Sequence, residues 1–393
     1  MARIALLSCV LYTLLLALVA RESDATPAAD KEYEIVSTIT EGDSDVVVVR
    51  RNHVIYMLYD ETIIGAEFDD DDYRWQTAYP GFAIMQSAAY LDRTFTHAAQ
   101  IGLGIGTVPT FLRGKGIPTD VIEISDAVVT QAANYFQYER CEDDDPEDCV
   151  NGKTFVVDGL AFLKQEPKSE ADKYDLFITD VYTGWNPLAF FTQEIMVSVR
   201  DKWLASPKGV FVCNFVGMFN GPHAVVPKSI YRTLQSVFKH VKAFREMDNA
   251  DDDEGSNIVF FASNEPFEFT LPNDGDFKDP IRNTFFYVVT NFPKWEIFKD
   301  LDAPVEVEVQ QGVGAEEVTF AATDAATAST SARARVLTEA DHGQDDFKET
   351  HAYTQAHMRQ RVVDQFPPSY WEEVKQLHAK KTQKVEETQE SAP

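Results

Sequence analysis

The stretch Gln100–Phe136, QIGLGIGTVPTFLRGKGIPTDVIEISDAVVTQAANYF, constrains the fold more than any other part of the chain. An apolar run ends in Gly102, Gly104 and Gly106, and a helix-compatible segment follows from Thr107. A second apolar run, Val121–Ile124, carries one acid, Glu123, and leads into another helical segment. Strand, glycine turn, helix, strand, acid is the order of half a nucleotide-binding α/β fold. Glycine permits the tight turn and the close approach of backbone to ligand, while an acid at the end of the next strand accepts both hydroxyls of a ribose. Glu123 lies 17 positions beyond Gly106, close to the roughly 20 expected of a ribose-binding acid. Glycine turns follow strands in many folds, and it is the ordered acid and the strands beyond it that carry the signal. The loop has no Gly-Lys-Ser/Thr sequence, and Arg113 and Lys115 come only after the first helical turn. A ligand with a ribose and no phosphate suits it best.

Beyond that half, strand and helix patterns keep alternating. Lys153–Val157 ends at Asp158-Gly159, and Leu160–Lys164 starts a helix. Tyr174–Thr179 ends at Asp180, Pro187 precedes a helical segment to Leu204, Gly209–Phe215 is a fifth strand, and Lys228–Val241 is a helix. Two last strands, Ala243–Met247 and Asn257–Ser263, flank the acidic turn DNADDDEGS. The expectation is an α/β fold with a doubly wound, mostly parallel, seven-stranded Rossmann-like sheet. Ligands bind at the carboxyl ends of such strands, where Gly102, Gly104, Gly106, Glu123, Asp158 and Asp180 all fall.

Ahead of this lie four β-branched or aromatic runs, Tyr33–Thr40, Val46–Arg50, Val54–Tyr59 and Thr62–Phe68, separated by turn residues. They read as a small N-terminal β domain over 31–75, preceding a nucleoside-binding domain over 76–300. Within the latter, 79–94 is helix-like, and the aromatic-rich 264–300 is expected to pack on the sheet. Residues 301–345 turn acidic and then Ala/Thr/Ser-rich, Ala321–Ala332, which is a linker composition. In 346–393, Phe347–Val363 and Tyr370–His378 are expected as short helices and Lys380–Pro393 as a mobile tail.

At the N-terminus, Arg3 precedes the charge-free run Ile4–Ala20, with small residues at Ser23 and Ala25. Residues 1–25 are expected to be a secretory signal peptide, or a signal anchor if uncleaved, in which case the chain is membrane-bound. The compartment expected is the ER lumen or the cell exterior. Cysteine usage agrees: Cys141 and Cys149 bracket EDDDPED at a spacing that a short disulfide loop closes, while Cys213 sits in an apolar strand as a buried thiol. No second Cys or His pair accompanies them, so no metal site is expected. The net charge of −29 leaves no basic surplus for phosphates, which argues against nucleic acid. An acidic field favours cationic substrates such as amines; equally, it keeps a protein soluble. A homodimer is left open.

Taken together, GLGIGTVPTFL, DVIEISDAVVTQAANYF, FVVDGLAFLK, KYDLFITDVYTGWNP and GVFVCNFVG resemble the spermidine synthase family over roughly residues 33–265. The likeness is nearest to the divergent spermidine synthase-like branch, which shares the fold of class I S-adenosylmethionine-dependent methyltransferases. The donor implied is S-adenosylmethionine or its decarboxylated form. The resemblance implies that Gly102, Gly104 and Gly106 cradle the amino-acid portion of the donor and that Glu123 holds the ribose hydroxyls. It further implies that Ile124 packs on the adenine face and that Asp158, with Gly159 beside it, contacts the adenine amino group. Asp180 would orient or deprotonate the attacking amine, with Tyr182 and Trp185 shaping the acceptor pocket. Without the resemblance, Asp158 is a turn residue, Asp180 a helix cap, and Tyr182 and Trp185 core aromatics.

Three departures stand out. Ile105 occupies the place of the Asp that binds the amine of the decarboxylated donor, and Ile64 that of a Gln in the β domain. After Asp180 the text runs Val181-Tyr182-Thr183-Gly184, without the second Asp that holds putrescine. The function expected is transfer of a methyl or aminopropyl group to a nucleophilic acceptor, an amine first. The alternative is a catalytically inactive secreted binding protein that keeps the fold.

Overall fold

The computed structural model describes residues 32–70, 76–141, 149–246, 255–270, 272, 284–299, 301, 333–343 and 345–376. Strands β1 (Glu34–Glu41), β2 (Ser44–Arg51), β3 (Val54–Tyr59) and β4 (Thr62–Phe68) form an antiparallel meander in that order. Asn52 and His53 both take positive φ, 52° and 61°, which suits the turn between β2 and β3 to the twist of a two-residue hairpin. The valine run of β2 does not alternate with polar residues because both faces of the meander are covered. Val46 and Val48 join Ile55 and Met57 on the inner face, while Val47 and Val49 join Tyr56 and Leu58 on the outer one.

The second sheet is built from β5 (Ala98–Ile101), β6 (Thr119–Glu123), β7 (Thr154–Val156), β8 (Leu176–Thr179), β9 (Val210–Gly217), β10 (His240–Arg245), β11 (Ser256–Ser263) and β12 (Glu296–Ile297). Its order is β12-β10-β11-β9-β8-β5-β6-β7. The five strands from β7 to β9 are mutually parallel, and β11 enters antiparallel beside β9. The order reverses at β5, placing a crevice at the carboxyl ends of β5 and β8. The fold is therefore α/β and mostly parallel, with eight strands rather than seven. The extra one, β12, adds two residues antiparallel to β10, with Ala243 opposite Ile297.

One face of this sheet carries α4 (Gly159–Leu163), α5 (Gln193–Ser198) and α6 (Val225–Val237); the other carries α1 (Pro80–Gln86), α2 (Thr107–Gly114) and α7 (Thr284–Asn291). Two expected helices differ. The segment from Pro187 to Leu204 is broken at Thr192, which is extended between a 3-10 turn and α5 while Gln193 N donates to Leu337 O at 2.7 Å. The helix expected to reach Val241 stops at Val237, because the residues after Phe238 are taken into β10, where His240 pairs with Ser263. Cys141 and Cys149 are bridged, with Cα atoms 5.6 Å apart. The residues between them, like the signal-like N-terminus, the Ala/Thr/Ser-rich stretch and the charged tail, lie outside the described residues. Among the described residues no helix is long and apolar enough to cross a membrane.

Helix α3 (Asp126–Tyr135) joins the two sheets. Its N-terminal N–H groups are met by a residue of the meander: Glu41 Oε1 accepts from Asp126 N at 3.0 Å and Ala127 N at 3.4 Å, and Glu41 Oε2 accepts from Ser125 Oγ at 2.5 Å. A carboxylate at this end of a helix answers both the unpaired N–H groups and the helix dipole. Glu41→Ala is expected to cost about 1–2 kcal/mol of unfolding free energy in a urea titration; an unchanged midpoint would show that the cap is idle.

The chain then returns to the meander. Residues 333–343, expected as linker, are laid along α6, where Leu337 N donates to Thr233 Oγ1 at 2.9 Å. Helix α8 (Lys348–Gln365) and the helical residues 368–376 follow. Phe366, Tyr370 and Val374 cover the outer face of the meander, with Tyr370 edge-on to Tyr33 at 5.3 Å and Phe366 edge-on to Tyr56 at 5.2 Å.

Candidate active site

A cavity of about 670 Å³ opens at the carboxyl ends of β5, β6 and β8, walled by the meander on one side and by α8 on another. Gly102 sets its floor. Its φ is 84°, and a side-chain carbon there would come within 1.9 Å of the Asp180 carbonyl oxygen, so only glycine lets the loops after β5 and β8 cross this closely. Asp180 N donates to Ile101 O at 2.8 Å, which fixes Asp180 beside that floor. Gly104 also lines the cavity. Gly106 does not: it precedes α2 and packs against the Tyr138 ring.

Glu123 is buried at the cavity wall. Oε2 accepts from Leu103 N at 2.8 Å and Oε1 from Ser125 N at 2.9 Å, leaving each oxygen a lone pair for a ligand hydroxyl. Burial pushes its carboxyl up, the backbone N–H groups pull it down, and the Glu41 charge adds a small push upward. Two of the glycine loop's N–H groups are spent internally, Gly102 N on Ile122 O and Gly106 N on Leu103 O. Next to Glu123, Ile124 is 66% exposed, an apolar side chain with its face open at the cavity rim. Asp158 caps α4 by accepting from Ala161 N at 2.6 Å and lines the same cavity, with Gly159 packed on Ile101.

Asp180 Oδ1 accepts from Asn214 Nδ2 at 3.0 Å. Burial pushes its carboxyl up to about 6, against the pull of the Asn214 hydrogen bond and with a further push from Glu123. A carboxylate poised there can take a proton from a nucleophile near neutral pH. Tyr182 and Trp185 also line the cavity; Trp185 is 52% exposed, which removes it from the core, and burial pushes the Tyr182 hydroxyl up to about 12.

Several lining residues escape a motif-based reading. Asn214 sits midway along the apolar β9, Asn257 near the start of the antiparallel β11, and Glu246 follows directly on β10; a lone amide inside an apolar strand was the available signal. Asp60 and Glu61 come from the tip between β3 and β4. Met358, Arg359 and Arg361 come from α8, and Arg359 forms an ion pair with Glu61 across the mouth. Ile105, expected in the place of an amine-binding acid, is only 3% exposed and packs against Gly65 in the core between meander and α3. Six carboxylates thus face two guanidinium groups among the described lining residues. A nucleoside fits: a double acceptor for a ribose diol, an open apolar face for a base, an acid beside it, and a floor without side chains. Among the described residues no cluster able to hold a metal ion occurs.

No protein-family profile matches the chain. Over 188 residues, 46% of its length, the chain is 30% identical to an N-terminal histidine N-methyltransferase of Emericella nidulans, and it spans 31% of that protein, less than a third of its length. Among solved structures it resembles a probable spermidine synthase from Corynebacterium glutamicum at 17% identity and TM-score 0.48, over 61% of this chain and 84% of that one. It also resembles human methyltransferase-like protein 13 in complex with SAH, at 23% identity and TM-score 0.37, over 48% of this chain and 80% of that one.

Proposed function

We propose that the chain is an S-adenosylmethionine-dependent methyltransferase of the divergent spermidine synthase-like branch, acting on a nitrogen nucleophile. The observation that carries this reading is the placing of Glu123 and Asp180 on one cavity while Ile105 is turned into the core. The first two are what a nucleoside sulfonium donor and a nitrogen acceptor require; the third removes the carboxylate that would select the decarboxylated donor's amine. The relative named an N-terminal histidine N-methyltransferase supports methyl transfer to nitrogen.

The donor, when bound, supplies a methyl carbon made electrophilic by its sulfonium. Glu123 holds the ribose, Ile124 and Asp158 the base, and the loop from Gly102 to Gly104 the amino-acid portion. Asp180 orients the acceptor so that its nitrogen lone pair faces that carbon; the N–C bond forms as the S–C bond breaks, the sulfonium becomes a neutral thioether, and the proton released from nitrogen passes to Asp180. Positioning two reactants and removing one proton is most of what such a displacement asks of a protein. Residues 59–65 of the meander and 355–365 of α8 close the cavity on the sides away from the larger sheet. Passage into the secretory pathway is part of the same reading, supported by the Ile4–Ala20 run and the Cys141–Cys149 bridge.

Calorimetric titration with S-adenosylmethionine, decarboxylated S-adenosylmethionine and methylthioadenosine tests the reading. Tightest binding of the carboxylated donor is expected. A preference for the decarboxylated donor would mean aminopropyl transfer, and no binding of any of the three would leave a scaffold without transferase function.

A further inference from the structure

Gly106 stands outside the cavity lining and meets Tyr138 instead: a side-chain carbon on Gly106 would come within 2.9 Å of that ring. Tyr138 is buried, and its hydroxyl is hydrogen-bonded to Thr154 Oγ1 at 2.7 Å. Thr154 is paired in turn with Cys141. Thr154 N donates to Cys141 O at 2.6 Å, and Cys141 N donates to Thr154 Oγ1 at 3.3 Å. The Cys141–Cys149 bridge therefore ties together two arms, residues 138–141 and 149–154. The first rests on the glycine loop, and the second enters β7.

Arg113 of α2 draws on the same two arms. Its Nη1 donates to Glu139 O at 2.6 Å on the first, and its Nη2 to Gly152 O at 3.3 Å on the second and to Thr119 O at 2.8 Å. The guanidinium carbon lies 5.0 Å from the centre of the Tyr138 ring. Two residues beyond β7 stands Asp158, on the cavity wall. One covalent link thus lies behind both the start of α2 and the strand that leads to Asp158. The sequence between the cysteines, EDDDPED, holds six acids and no base. A block of like charges repels itself, so the arms are brought together against that repulsion and the bridge keeps them there.

We propose that the Cys141–Cys149 bridge is a redox switch on donor binding. Bridged, it braces the glycine loop through Tyr138 and β7 through Thr154; as two thiols it releases both, and donor affinity falls. This rests on reading the cavity as the donor's. The reductant class is a dithiol, to which the half-buried Cys141 gives access. Two electrons and two protons pass to the cysteines as the S–S bond breaks, and the dithiol leaves as its own cyclic disulfide. Cys213, a buried free thiol in β9, takes no part.

Calorimetric titration of the full chain with S-adenosylhomocysteine, before and after dithiothreitol, tests the switch at a temperature below the melting of either form. The reduced chain is expected to bind roughly 5- to 100-fold more weakly. Linkage requires the converse: saturating S-adenosylhomocysteine should make the bridge harder to reduce by the same factor, read against a series of reduced and oxidised dithiothreitol. The Cys141→Ser/Cys149→Ser chain should bind as the reduced one does and ignore dithiothreitol. Tyr138→Phe keeps a ring against Gly106 and loses the bond to Thr154, so it should shrink the difference between the two redox states. A general loosening of the fold would leave that difference whole. Equal affinity in both redox states, or an undiminished difference in Tyr138→Phe, would overturn the switch. Amide hydrogen exchange over residues 103–113 gives a readout that needs no ligand, and faster exchange is expected in the reduced chain. If S-adenosylhomocysteine binds neither form while that exchange still follows the bridge, the donor reading falls and the brace stands. If it binds both forms equally, the donor reading stands and the switch falls.

Discussion

Replacing Glu123 by alanine is expected to weaken binding of a nucleoside donor by at least roughly 100-fold, since two hydrogen bonds to a carboxylate contribute about 1.5–3 kcal/mol each. The carboxylate reaches this position because β6 ends on it, and its two oxygens are each steadied by one backbone N–H, from Leu103 and from Ser125. That geometry leaves a forked acceptor aimed into the cavity, which a ribose diol matches. Alanine removes the fork and also strands the two N–H groups, so part of any loss could come from the loop itself. Glu123→Gln separates the effects, because its amide oxygen still accepts one of the two bonds and fills the same volume. Titration with S-adenosylhomocysteine, with a thermal melt of each variant, reads both. An affinity within about threefold of the native chain in the alanine variant would remove Glu123 from the donor site.

The second large effect concerns Asp180. Asp180→Asn is expected to lower the rate of transfer by roughly 100- to 10,000-fold, the usual range for losing a positioned base, with donor affinity unchanged. The sign of the pH dependence follows from the carboxyl being held up at about 6, mainly by burial. Below that pH the group is protonated and cannot accept a proton, so kcat/KM climbs with pH through about 6 and levels above it. The asparagine variant should lose that climb and show only the titration of the acceptor. A rate in the variant within tenfold of native, or a native profile flat from pH 5 to 8, would mean that solvent takes the proton and that Asp180 merely positions.

Much of the chemistry is local in the chain, and that is why it is legible. Gly102, Glu123, Asp158 and Asp180 each stand at the end of an apolar run, and the topology of a parallel sheet brings such ends together without any knowledge of side-chain packing. The division of labour among the three glycines is not legible, because it depends on what lies opposite. Gly102 faces the Asp180 backbone and Gly106 the ring of Tyr138, and no spacing rule tells these apart. Ile105 shows the same limit: its sequence says only that an acid is missing, whereas its burial against Gly65 shows that the position has become core. The eighth strand is two residues long and is defined by its partner β10 alone. Helix α8 left no trace as a cavity wall, since its only buried residue is Thr354 and it carries no apolar stripe to announce a docking face. It is held instead by polar contacts such as Arg359 with Glu61 and Arg51 with the Gln365 carbonyl, which pair residues some 300 positions apart.

The covering of the meander by Phe366, Tyr370 and Val374 has a consequence for the order in which the protein is made. Nearly 300 positions separate Phe68, where the meander ends, from Phe366, which seals it. At roughly 5–20 residues per second of synthesis, the sheet waits about 15–60 s for its lid. During that interval Val47, Val49, Tyr56 and Leu58 present an apolar sheet face to the ribosome's surroundings. A nascent chain in that state is a client for chaperones and a hazard for edge-to-edge pairing. The burden falls on the newborn protein rather than on the finished one.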